Sequence, residues 1–160
     1  MGVVVVNRLV FLVFALLLGS ISSPFAEAGS SMIDEAASIQ LVIDAFAAHF
    51  RAQDPEALAT LFSDPVVFID PHRGEAEFSA VALREMFRSD FANIQEVRRY
   101  DLVDSTVAVE GESAGVEVTY AVDMRIFETD DAFQLTYGWT LDRSEGAWRI
   151  TKLWVIDMRR

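Results

Sequence analysis

The chain has 160 residues, with 25 Asp and Glu against 13 Lys and Arg and a formal net charge of -12. That field repels phosphate backbones and anionic membrane surfaces, so nucleic-acid binding is not expected. Cysteine is absent, which excludes disulfides, thiol catalysis, cysteine zinc sites and a lipoprotein anchor.

Residues 1–28 have the order of a secretory leader: Arg8, an apolar run from Leu9 to Leu18, then Ala26-Glu27-Ala28 as a cleavage signal. The run is shorter than the roughly 20 residues of a membrane span. Export with cleavage after Ala28 is therefore the expectation, with a retained anchor as its rival. Losing Arg8 and Glu27 together leaves the net charge at -12. What remains is one domain over residues 29–160, with no membrane span.

From Ile33 to Ala52, the apolar positions Ile39, Val42, Ile43, Phe46 and Phe50 fall at the spacing of an amphipathic helix. His49 lies at the edge of that face. Asp54-Pro55-Glu56 reads as an N-cap, a proline in the first turn and an acidic start for a short second helix ending near Leu61 or Phe62. An apolar run from Pro65 to Ile69 follows and ends in the corner Asp70-Pro71-His72-Arg73-Gly74. Ser79 caps a third helix over Ala80–Asp90, with Leu83, Met86 and Phe87 on one face.

Strands take up the rest. Val97 to Val109 is β-branched but alternates poorly, which predicts a bulge or two short strands. Ala114 to Glu128 alternates cleanly, with Val116, Val118, Tyr120, Val122, Met124 and Ile126 on one face. Phe133, Leu135, Tyr137, Trp139 and Leu141 repeat the pattern. Hairpin corners are expected at Glu110-Gly111-Glu112, Thr129-Asp130-Asp131 and Ser144-Glu145-Gly146. The last run, Ala147 to Met158, reads as apolar on both faces. Trp148, Ile150, Lys152, Trp154 and Ile156 fall on one side and Leu153 and Val155 on the other. Such a strand needs two covers, and a homodimer through the sheet supplies the second.

The fold class is α+β: about three N-terminal helices packed on a curved antiparallel sheet that encloses a cone. Asp70 is the residue of interest, a carboxylate placed where a strand turns. It reads either as a general base at the mouth of the cone or as a turn former. His49 is either its partner or a packing residue. His72 and Arg73 either meet an anionic ligand or sit in a solvated loop. Phosphate loops, histidine clusters and nucleophile elbows do not occur in the sequence, so neither a cofactor nor a metal is expected.

The stretch FAAHFRAQDPEALATLFSDPVVFIDPHRG, with the element order around it, resembles the nuclear transport factor 2-like superfamily. Its members include ketosteroid isomerase, the SnoaL-like polyketide cyclases and scytalone dehydratase. The resemblance covers essentially all of residues 29–160 and implies the cystatin-like cone fold. In ketosteroid isomerase the catalytic base sits in a strand-end Asp-Pro, sixteen residues after the aspartate that opens the second helix. Asp54 and Asp70 have that separation, so the resemblance implies Asp70 as base. It also places Phe46 where that enzyme has an oxyanion-hole tyrosine, and Tyr137 where it has a protonated aspartate. A phenyl ring donates no hydrogen bond, so the implied site has one donor where the enzyme has two.

Together these readings predict an exported domain that binds a small apolar molecule in its cone, lined by Phe46, Phe68, Tyr120, Met124 and Trp139. Chemistry would be a cofactor-free isomerisation, dehydration or cyclisation with Asp70 as base and Tyr137 or His49 polarising the substrate. The alternative is a non-catalytic dimerisation or protein-interaction module of an exported assembly.

Overall fold

The computed structural model describes residues 24–70 and 74–160, with side chains from Asp34 onward. Residues 1–23 of the expected leader, and also His72 and Arg73, lie outside the described residues. Helix α1 spans Pro24–Arg51, α2 Pro55–Ala59 and α3 Ala80–Asn93. The strands are β1 Phe62–Asp70, β2 Gly74–Phe78, β3 Ile94–Glu110, β4 Ser113–Ile126, β5 Thr129–Ser144 and β6 Ala147–Arg159. No helix of the described residues is long and apolar enough to cross a membrane.

The helix boundaries follow from local chemistry. Gln53 takes a left-handed φ of 50° and turns the chain so that Asp54 N–H donates to His49 O at 3.1 Å, closing α1. Asp54 then caps α2, its carboxylate accepting from Ala57 N–H at 2.9 Å. Ser79 does the same for α3 through Ala82 N–H, and Asp64 accepts from Ala80 N–H at 3.1 Å.

One six-stranded sheet has the order β2-β1-β6-β5-β4-β3. The fold class is the α+β cone, and the sheet is mixed, because β1 runs parallel to β6 while the other neighbours are antiparallel. Strand β2 carries no periodic signal. Glu75 and Glu77 leave the segment exposed on both sides, as suits a charged edge strand that discourages pairing with another sheet.

Bulges decide which face each residue takes. Three register shifts break β3, so Val97, Tyr100, Leu102, Ser105, Val107 and Val109 share the face of buried β4 residues despite their uneven spacing. In β6, a shift between the pairs Leu141↔Ile150 and Thr140↔Lys152 inserts one extra residue. Trp148 and Ile150 therefore face the core with Leu153 and Val155, while Lys152 and Trp154 face outward. This corrects the strict alternation read from the sequence. Lys152 has a simple role there, pairing with Glu75 at 3.6 Å.

The β4–β5 turn also differs from the expected corner at Thr129-Asp130-Asp131. It lies two residues earlier, at Phe127 and Glu128, with φ of 48° and 73°. Both central residues being left-handed is the geometry that Asn-Gly prefers, and Phe127 is 68% exposed. The double substitution Phe127→Asn with Glu128→Gly is expected to raise stability by about 1 kcal/mol, read as a higher urea midpoint with unchanged slope.

Candidate functional site

The helices cover the concave face of the sheet, and the core there is aromatic. Phe46, near the middle of the buried stripe of α1, has its ring centroid 5.0 Å from Trp139, 5.8 Å from Tyr120, 6.0 Å from Tyr137 and 6.2 Å from Tyr100. Phe62 and Phe50 complete the ring shell at 6.2 and 6.4 Å. Met124 is buried in the same core, and Phe68 packs against it from β1.

Polar atoms inside this shell fall into two classes. The Tyr120 hydroxyl donates to Ile43 O at 3.0 Å, so it ties β4 to α1. In contrast, Tyr100 Oη and Trp139 Nε1 are buried with no hydrogen-bond partner among the described residues. Leaving a buried donor unpaired costs about 1–3 kcal/mol. Tyr100 and Tyr137 lie near enough for each to shift the other's ionisation, yet Tyr100 Oη makes no hydrogen bond of acceptable geometry.

All three phenols are protonated donors at neutral pH. Burial raises Tyr100 well above the usual phenol value, and Tyr137 and Tyr120 add to the shift. Burial also raises Tyr120, with smaller effects from Tyr137 and Asp44. Tyr137 is pushed up to about 12 by burial, pulled back by the Tyr100 hydroxyl and raised again by the charge of Asp90.

The register brings Asp70 and Tyr137 into one row. Ile69 pairs with Trp154, so Asp70 stands level with Val155, and Val155 pairs with Tyr137. Two strand spacings, about 10 Å, separate their backbones. Asp70 continues the face of buried Val66 and core-packed Phe68, and is itself exposed at the strand end, where it pairs with Gly74. Between them Val155 is 38% exposed, and Tyr137 is only half-buried. His49 is half-buried on the flank of α1.

Two residues of this region escape sequence reading. Tyr100 is hidden by the bulges of β3, which break the period that marks an inward residue. Asp90 lies one turn beyond Met86, which packs on the core from α3. Asp90 is exposed at the surface of α3, where partial desolvation raises its carboxyl above the usual value, and its charge reaches Tyr137. The i, i+4 spacing from Met86 is the signal that could have found it. Among the described residues, no cluster of His, Asp and Glu could hold a metal ion.

A model of the SnoaL-like domain matches residues 39–153. The chain belongs to the SnoaL-like family. No curated protein sequence matches it. The SnoaL-like domain is similar to an NTF2-like protein of cystatin-like fold from Novosphingobium aromaticivorans, at 19% identity and TM-score 0.68, over 86% of this chain and 90% of that one. It is also similar to a protein from the same organism that carries the provisional name scytalone dehydratase, at 15% identity and TM-score 0.69, over 79% and 86%. A single-site variant of a Mycobacterium tuberculosis protein of unknown function matches at 20% identity and TM-score 0.67, over 79% and 77%. At these identities the likeness establishes the NTF2-like fold.

Proposed function

We propose that this SnoaL-like domain binds a small, largely apolar molecule carrying a hydrogen-bond acceptor in its cone, and that the protein is exported with residues 1–28 as its leader. The observation that carries the binding reading is the pair of wholly buried, unpartnered donors, Tyr100 Oη and Trp139 Nε1. An acceptor oxygen on a ligand would satisfy them at little further desolvation cost, since both donors are already out of water.

The catalytic form of this reading uses the row Asp70, Val155, Tyr137. The Asp70 carboxylate takes a proton from a ligand carbon, and the electron pair moves onto the ligand oxygen that accepts from Tyr137. Redelivery of the proton to another carbon gives isomerisation. Loss of a hydroxyl as water, carrying that proton, gives dehydration. Neither step needs a cofactor. His49, on the flank of α1, is the alternative polarising group.

A second reading rests on the outer face of the sheet. A Cβ on Gly138 would stand 2.1 Å from Trp154 Cε2, so the glycine lets the indole lie flat across β5. Beside it is a hollow of about 400 Å³ lined by Ile69, Thr140 and Lys152, and Ile156 is 46% exposed near the end of β6. That face suits a homodimer through the sheet, either supporting the pocket or acting alone as an interaction module.

Native mass spectrometry of the protein purified from its own host separates the two. The ligand reading expects a stoichiometric small-molecule adduct that persists in Asp70→Asn and is depleted in Tyr100→Phe, which lacks one of the two buried donors. A bare dimer in all three favours the interaction module.

A further inference from the structure

Outside the cone, a groove of about 320 Å³ runs between the N-terminal half of α1 and the β5–β6 hairpin. Val42, Leu61 and Trp148 form its apolar floor, and Leu41, 70% exposed, stands on its wall. Glu35 lies inside it with both oxygens engaged. One accepts from Arg143, and the other accepts from Trp148 Nε1 at 2.8 Å. Its charge is thus matched, and the groove keeps the positive charge of a second arginine, Arg149.

Arg149 donates to a neutral acceptor, the Thr60 carbonyl, and among the described residues no carboxylate forms an ion pair with it. Arg51, Arg88, Arg98, Arg99, Arg125 and Arg143 all have carboxylate partners, and among the described residues Arg84 on α3 shares with Arg149 the lack of one; Arg149 differs in lining a hollow with an apolar floor. A guanidinium has five N–H donors in a planar fork that fits a carboxylate. We propose that this groove is a second binding site, for an amphipathic monocarboxylate whose head meets Arg149 and whose tail lies over Val42 and Leu61 against Leu41. The volume is at the small end for ligand sites, which suits a short alkyl chain or a single ring rather than a membrane lipid. Repulsion from the distant acidic surface is screened beyond about 8 Å at physiological salt, whereas contact with Arg149 is not.

The three indole N–H groups make the test direct, because each reports on a different place: Trp148 on the groove, Trp139 on the cone and Trp154 on the outer face. The 15N-labelled protein is titrated with octanoate and, separately, with octanol and with inorganic phosphate. Octanoate is expected to shift the Trp148 indole resonance saturably, with a Kd below about 1 mM, and to leave Trp139 and Trp154 unmoved. Octanol and phosphate should each bind at least about tenfold more weakly, since each supplies half of the recognition. Arg149→Gln should lose the octanoate response, with Arg149→Lys intermediate. The proposal is overturned if Trp148 stays fixed, if octanol or phosphate matches octanoate, or if Arg149→Gln binds as the native protein does. A response at Trp139 alone would assign the carboxylate to the cone and also overturn it.

Discussion

Replacing Phe46 with alanine is expected to destabilise the domain by about 3–5 kcal/mol, a large part of the roughly 5–15 kcal/mol that holds a domain of this size together. The ring is buried on α1 and sits within 6.4 Å of six other rings, drawn from α1, β1, β3, β4 and β5. Its loss removes contacts to every one of those elements, and the surrounding rings are too stiff to collapse fully into the space. Urea unfolding of the variant beside the native protein checks this. A loss below about 1 kcal/mol would mean that the cone is loosely packed around Phe46.

The substitution Tyr100→Phe is expected to have the opposite sign. Because Tyr100 Oη is buried without a partner, removing it deletes an uncompensated desolvation cost and leaves the ring packing on Phe50, 4.3 Å away, intact. Ligand-free protein should gain about 1–2 kcal/mol. The same substitution should weaken binding of an acceptor-bearing cone ligand by about tenfold, the value of one hydrogen bond of roughly 1.4 kcal/mol. Gain in stability with loss of affinity is the signature of a donor held for a ligand. A structural hydroxyl would instead give loss of stability.

Helix chemistry was the most legible part of the chain. Asp54 and Ser79 cap the helices that their neighbours' apolar spacing announces, and Ile39, Val42, Ile43 and Phe46 form the buried stripe of α1. In β4 and β5 strict alternation puts Tyr120, Tyr137 and Trp139 on the concave face. The bulges were illegible in detail, because an extra residue changes parity without changing composition. That is why Tyr100 carries no inward signal and simple alternation puts Trp154 on the face of Ile150. The hairpin at Phe127 and Glu128 is hidden for a related reason. The chain forces two ordinary side chains into the left-handed region while the usual turn formers, Asp130 and Asp131, sit at the start of β5. Asp70 was legible as the end of a strand. Its level with Tyr137 depended on the parallel pairing of β1 with β6, which a local pattern does not encode.

On the ligand reading proposed above, the buried donors of the cone await an acceptor. The most direct measurement is the indole 1H–15N spectrum of the protein as purified from its host, compared with the same sample after unfolding, removal of small molecules and refolding. The Trp139 Nε1–H resonance of the purified protein is expected to lie downfield, as for a hydrogen-bonded indole, and to move upfield once the ligand is stripped, while Trp154 stays in place. A Trp139 resonance at one upfield position in both samples would contradict it.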